Sequence, residues 1–226
     1  VPRSTDIDVV LFDLDGTLVD SRPGIVRCAN LALAEHGLEP LRDDQVPGFI
    51  GPPLRDSFRS LSPPEEILES LVATYRRHYG EGGLTEFRVY DGIGATLAAL
   101  VDDGHVLGVA TSKAADFARI VLEHGGIDAP FRYVAGAHAD GTGADKADVM
   151  RRAMAALEVT SPSRVVMVGD RIFDLDGARS TETHFVVAGW GFSVPGEFDH
   201  EPDLAILDHP SDLVTWTPTS PLGRAL

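Results

Sequence analysis

The sequence predicts an α/β protein: a parallel sheet with helices on both faces, interrupted once by a helical insertion. Short apolar, β-branched runs recur along the chain without polar alternation, so both faces of each strand expect cover. Stretches with apolar residues three and four apart separate the later runs, which is the strand-helix alternation of a parallel sheet. Between the first run and the second, roughly residues 20 to 90, helix signals appear and no strand pattern does.

The first strand is "DVVLFD" at 8–13. The insertion begins with "RPGIVRCANLALAEHGL" at 22–38, with Pro near the helix start and Gly near its end. "LRDDQVPGFIGPPLRDSFRSL" at 41–61 follows, then "SPPEEILESLVATYRRHYGEGG" at 62–83, which opens on a Ser-Pro-Pro-Glu-Glu start signal and closes in glycines. Linkers at 19–22 and 82–90 bound a small helical domain over residues 21–84, leaving 1–20 and 85–226 as the core. The core continues as helix "IGATLAALVDDG" (93–104), strand "HVLGVAT" (105–111), helix "AADFARIVLEHGG" (114–126) and strand "YVAGA" (133–137). Helix "KADVMRRAMAALEV" (146–159), strand "RVVMVGD" (164–170), helix "FDLDGARST" (173–181), strand "HFVVAG" (184–189) and a weaker "LAIL" (204–207) complete it. No repeat or low-complexity tract interrupts this pattern.

At 226 residues the chain can bury a core without disulfides or metal staples. Its 43% hydrophobic and 24% charged content is that of a soluble globular protein. No apolar run approaches the ~20 residues of a membrane helix. A formal net charge of -16 excludes a nucleic-acid polymer as the natural partner, although a small anion can be held where a divalent cation or a few donors reverse the local field. The single cysteine, Cys28, rules out an intrachain disulfide, and with no secretory segment visible the cytoplasm is the expected location. The opening "VPRSTD" lacks an initiator Met and is set aside as a remnant or clipped start.

In a parallel sheet, ligands bind outside the carboxyl ends of the strands. The first strand ends in Asp13, with Asp15 just beyond; the second ends in Thr111, Ser112 and Lys113; the fourth ends in Gly169 and Asp170, with Asp174 a turn later. Lys146 opens the helix before that fourth strand. Carboxylates gathered at one edge repel unless a hard cation neutralises them, and Mg²⁺ favours carboxylate oxygens, a carbonyl and retained waters. With Mg²⁺ and Lys146 the edge can hold a phosphate, to which the Thr111 hydroxyl and backbone amides donate. An ionised Asp13 beside that phosphate is a candidate nucleophile.

The chain resembles the haloacid dehalogenase-like superfamily of phosphohydrolases over nearly its whole length. "DLDGT" at 13–17 is similar to the first motif of that superfamily, "VAT" ending at Thr111 to the second, Lys146 to the third and "GDRIFD" at 169–174 to the fourth. The resemblance implies a Rossmann-like core with a helical cap, an aspartyl-phosphate formed on Asp13, and Asp15 as general acid and then base. It also implies Mg²⁺ held by Asp13, the Asp15 carbonyl and Asp170, with Asp174 in support. Asp15 separates phosphatases and phosphomutases from dehalogenases, because a departing alkoxide needs a proton. "GTLVDS", the "GPP" loop at 51–53 and "TSK" at 111–113 are similar to phosphoglycolate phosphatases and to small-molecule 5'-nucleotidases. A small phosphorylated metabolite is the expected partner; a phosphosugar mutase, or a binding module on the same fold, stays open, and oligomeric state is not legible.

Several of these residues have plain alternatives. Asp-x-Asp after a strand is often a turn or cap, and Ser112 suits an N-cap for the helix near Ala114 as well as a phosphate donor. Lys113 is expected to be solvated or ligand-adjacent; Asp176 is expected to be a helix-face charge. Gly16 permits the turn after Asp15 and joins Ser112 and Arg55 as candidate substrate contacts. Arg55 and Arg59, four apart, share a helix face and either greet an anionic substrate or stay solvated. Trp190, Phe192 and Phe198 read as packing, with base stacking as the alternative.

Overall fold

Val9, Val10, Leu11 and Phe12 form an unbroken apolar run, which is stable as a strand only where both of its faces are covered. In the structure, a computed structural model that describes residues 7–218, all four are buried and form the central strand β1 (Val9–Phe12). The opening segment VPRSTD lies outside the described residues. After β1 come β2 (Val19–Asp20), α1 (Arg22–Glu35), α2 (Val46–Phe49), α3 (Leu54–Ser60), α4 (Leu68–Glu81) and β3 (Arg88–Val89). The chain continues through α5 (Ile93–Asp102), β4 (Val106–Ala114), α6 (Ala115–His124), β5 (Phe131–Ala137), α7 (Lys146–Ala156), β6 (Val165–Gly169), α8 (Ile172–Ser180), β7 (His184–Ala188) and β8 (Ile206–Leu207).

Six strands form one sheet in the order β5-β4-β1-β6-β7-β8, every pairing parallel. Successive side chains point to opposite faces, so each buried strand serves two cores. Val10, Phe12, Val166 and Val168 pack with Ile93 and Leu97 of α5 and Val121 of α6. Val9, Leu11, Val165 and Met167 pack with Val149 and Met150 of α7 and Leu175 of α8. Burial of each such side chain stabilises by about 1.5–3 kcal/mol.

The first cluster extends without a break into α1, α3 and α4 through Cys28, Phe58 and Leu71. Aromatic contacts mark the route: Phe49 meets Phe58 edge-on at 5.1 Å, Phe58 meets Tyr75 at 5.9 Å, Tyr75 stacks on Tyr79 at 5.4 Å, and Tyr79 touches Phe117 of α6 at 5.9 Å. The linkers to this helical segment pair as a short antiparallel ribbon, Val19 with Val89 and Asp20 with Arg88. That ribbon departs from the expectation of a strand-free insertion, since two residues are too few to show an alternation. β4 also runs to Ala114, three residues past its expected end at Thr111, through a register shift against β5. Among the described residues no helix is long and apolar enough to cross a membrane.

Candidate active site

Strand order explains why distant residues meet. The chain leaves β1 toward β4 and β5 on one side and returns to β6, β7 and β8 on the other, so the carboxyl ends of β4, β1 and β6 flank a topological switch point. Asp13 follows β1, Thr111 lies near the end of β4, Asp170 follows β6, Asp174 sits in the first turn of α8 and Lys146 opens α7. The structure brings all five together and buries each one.

Asp13, Asp170 and Asp174 each present a carboxylate oxygen within 4.8 Å of the others. Lys146 Nζ stands between two of them, 2.9 Å from Asp13 Oδ1 and 2.7 Å from Asp174 Oδ1, while its aligned hydrogen bond goes to the Ala110 carbonyl at 3.0 Å. Neither of those carboxylate oxygens has an aligned hydrogen-bond partner among the described residues. Asp170 is oriented from two sides, accepting from the Thr17 hydroxyl at 3.3 Å and the Phe192 amide at 2.6 Å. Asp174 Oδ2 accepts from the Arg171 amide at 3.1 Å.

The electrostatics follow from three adjoining buried acids and one ammonium, which pairs with Asp13 and Asp174. Burial lifts Asp13 to about 6; Asp174 and Asp15 push the same way, and Lys146 opposes them. Burial, then Asp174 and Asp13, hold Asp170 well above the usual carboxylate range. Burial alone would lower Lys146, but the Asp13 and Asp174 carboxylates outweigh it and keep the ammonium charged. Three buried carboxylates, each offering an oxygen within 4.8 Å of the others, form a hard, oxygen-rich set that a divalent cation such as Mg²⁺ fits.

Gly16 is required by this packing. Its φ is +89°, a left-handed backbone, and a Cβ there would stand 2.2 Å from Asp170 Oδ2. The Asp15 side chain stays outside the carboxylate triad and pairs with Lys113, whose Nζ lies 2.7 and 2.9 Å from its two oxygens. Of the two expectations for Lys113, solvated or ligand-adjacent, the structure favours the second: its side chain is 8% exposed, it lines the cavity over Asp13, and its ammonium lies 4.7 Å from the centre of the Tyr79 ring. The extension of β4 keeps Lys113 on the sheet and so within reach of Asp15.

Thr111 Oγ1 accepts from the Lys113 amide at 3.2 Å, which leaves its hydroxyl proton free to donate. Ser112 does not cap α6, whose N-cap is Ala114 with no side-chain bond; its hydroxyl donates to the Ala144 carbonyl at 2.9 Å. A cavity of about 540 Å³ opens over Asp13 and Asp15, walled by Phe49, Tyr75, Tyr79 and Phe117. Arg55 reaches its rim but is tied to Glu69 at 2.6 Å, and Arg59 pairs with Asp56 at 2.9 Å. Trp190, Phe192 and Phe198, after β7, do not line this cavity, in keeping with their reading as packing rather than base stacking. Trp190 Nε1 there donates to the Thr17 carbonyl at 3.0 Å and so braces the loop behind Asp170.

A doubly covered parallel sheet with a carboxylate-lysine centre at its switch point defines an α/β protein built to bind at its strand ends. The chain belongs to the haloacid dehalogenase-like hydrolase family, whose model matches residues 10–188. It is 43% identical over 184 residues to the tyrosine-protein kinase PtkA of Mycobacterium tuberculosis, a match covering 81% of this chain and 62% of that protein. The chain thus spans less than two thirds of the length of PtkA. A 5'-nucleotidase of Pseudomonas aeruginosa is 38% identical over 88% of this chain and 92% of its own length. The phosphoglycolate phosphatase of Aquifex aeolicus is 30% identical over 91% and 94%. Among solved structures, a predicted phosphatase from Clostridium acetobutylicum superposes with a TM-score of 0.86 at 33% identity, covering 92% of this chain and 96% of that one.

Proposed function

We propose that the protein hydrolyses a small phosphomonoester through an aspartyl-phosphate on Asp13, with residues 21–84 acting as a cap over the site. The observation that carries this reading is the buried set of Asp13, Asp170 and Asp174 around Lys146, with Asp15 beside it at the mouth of the cavity. Asp13, the Asp15 carbonyl and Asp170 would hold Mg²⁺, with Asp174 in support; when bound, the ion supplies charge neutralisation at the phosphoryl oxygens.

The remaining chemistry belongs to side chains. An Asp13 carboxylate oxygen attacks phosphorus, and the bond from phosphorus to the leaving oxygen breaks. Asp15 gives that oxygen its proton, then takes one from the water that attacks the aspartyl-phosphate, releasing phosphate and restoring Asp13. Lys146 keeps Asp13 oriented and charged, and the Thr111 hydroxyl donates to a phosphoryl oxygen. Ser112, its hydroxyl spent on Ala144, contributes by holding the loop at 144 in place.

The cavity favours a leaving group larger and flatter than glycolate. Its aromatic walls suit a base or another ring, and neither the Tyr75 nor the Tyr79 hydroxyl has a hydrogen-bond partner among the described residues. Likeness to the 5'-nucleotidase supports a nucleoside monophosphate ahead of phosphoglycolate. A phosphate-release screen over nucleoside monophosphates, sugar phosphates and phosphoglycolate in Mg²⁺ buffer tests this, with Asp13→Asn as the inactive control. Undiminished turnover by Asp13→Asn would overturn the mechanism. The PtkA relatives add a competing outcome: phosphate transferred from ATP to a tyrosine peptide, instead of released, would replace hydrolysis as the activity.

A further inference from the structure

One buried ion pair joins the catalytic edge to the helical insertion by a route the proposed chemistry does not use. Arg171 directly follows Asp170, and its side chain is 8% exposed against 6% for its partner Glu197. Glu197 is fully engaged: Arg171 Nε lies 3.0 and 3.1 Å from its two oxygens, the Ile172 amide donates to Oε1 at 2.9 Å, and the Val194 amide donates to Oε2 at 2.9 Å. The far end of the guanidinium crosses to the insertion, where Nη1 donates to the carbonyls of Pro47, at 3.0 Å, and Ile50.

Those acceptors belong to the end of α2, a single turn that leaves its last carbonyls without amide partners. An arginine at a helix C-terminus satisfies such groups. Gly51 then passes so close that a Cβ on it would stand 2.6 Å from Arg171 Nη1. The next residues, Pro52 and Pro53, line the cavity over Asp13.

We infer that Arg171, braced by Glu197, is a positioning residue that latches the 46–53 loop down over the cavity and ties the loop's seat to the segment carrying Asp170. A buried guanidinium that lets go of its carbonyls leaves both sides unsatisfied unless water enters. The loop therefore has a seated and a released position with little between them. The latch's effect on turnover rests on the proposed phosphatase reading; the latch itself can be read without any substrate.

Two variants of the full chain test it. Gly51→Ala wedges the contact from the insertion side and changes no charge. Arg171→Lys keeps a cation for Glu197, but its single ammonium cannot hold Glu197 and both carbonyls at once. Hydrogen-deuterium exchange of the amides in 46–53, measured without Mg²⁺ and without substrate, should speed up about tenfold in both, the loss of roughly one hydrogen bond. Exchange in β1 and β6 should not change. With the best substrate from the screen, KM should rise more than kcat falls. Unaltered exchange in 46–53 would overturn the latch, and so would acceleration spreading equally into β1 and β6, which would make the pair a staple of the whole fold. If Arg171→Lys does not fold, Glu197→Gln, which removes the brace and leaves the loop's own residues intact, takes its place, because a Cβ on Gly51 at φ +116° also strains the loop by itself. Wild-type protein that releases no phosphate yet shows the exchange result would sink the phosphatase reading and leave the latch standing.

Discussion

Ionising Asp13 works against the fold when no cation is present, and the size of that conflict can be worked out. Burial is the first cause lifting its pKa from 3.8 to about 6, with Lys146 offsetting only part of it. At 1.36 kcal/mol per pH unit, the rise amounts to about 3 kcal/mol. Below about pH 4 the group is protonated whether the chain is folded or not, so nothing is lost. Between about pH 4 and pH 6 the unfolded chain gives up its proton first, and native stability falls until the folded carboxyl has ionised too. Asp13→Asn imitates the protonated state. In EDTA, the urea-unfolding free energy of wild type minus that of Asp13→Asn should therefore fall by about 2.5 kcal/mol from about pH 4 to about pH 7.5. Saturating Mg²⁺ should remove the fall, because a cation that binds the ionised carboxylate stabilises only that state. The comparison within one pair of proteins cancels the titration of acids remote from the cluster; Asp170, which the Asp13 charge helps to raise, does not cancel, and its relief in Asp13→Asn adds to the fall. A difference that stays flat with pH in EDTA would refute the assignment of this strain to the carboxylate cluster.

Lys146→Met removes the one ammonium among three buried carboxylates; urea unfolding at neutral pH without metal should show a loss of about 3–5 kcal/mol, and phosphate release should drop by at least about 100-fold. Gly16→Ala forces a Cβ against Asp170 in a left-handed turn. Calorimetric titration should find much weaker Mg²⁺ binding, with turnover down on the order of 100-fold; wild-type affinity would mean the turn relaxes freely. Phe117→Ala opens the aromatic wall at its half-buried end. Steady-state kinetics should show KM for a nucleoside monophosphate about tenfold higher and KM for phosphoglycolate little changed, whereas equal effects on both would take that wall out of the substrate site.

The parts of the site legible in the sequence are those the sheet itself assembles. Once β1, β4 and β6 are recognised as parallel, Asp13, Thr111 and Asp170 must lie at one edge whatever the intervening chain does, and the helix starts bring Lys146 and Asp174 to it. The sheet's two cores were equally legible, since an unbroken run such as Val9–Phe12 has to alternate between faces. Whether Lys113 is solvated or faces the cavity was not legible, because its burial depends on where β4 ends, and strand ends are set by pairing with β5 across a register shift rather than by local residue type. Tyr75 and Tyr79 sit at helical spacing and pack in the core. That they also wall a cavity depends on α6 and the 49–54 loop approaching from elsewhere in the chain.

Contacts between the insertion and the core were illegible for a more general reason. Arg171 reaches the carbonyls of Pro47 and Ile50, and Arg76 of α4 donates to the Asp140 carbonyl at 3.1 Å. In each case an arginine side chain meets a backbone acceptor. Every residue type supplies a carbonyl, so the acceptor position carries no signature, and its side chain can change without breaking the bond. The carboxylate edge is the opposite case: Asp13 and Asp174 meet Lys146, Asp15 meets Lys113 and Asp170 meets the Thr17 hydroxyl, all through side chains, and each position demands its residue type. It follows that the loops over the cavity are free to vary in the residues they show a leaving group while keeping their seat, as long as Arg171 and Arg76 keep their grip on the backbone. The chemistry at the sheet edge has no such freedom.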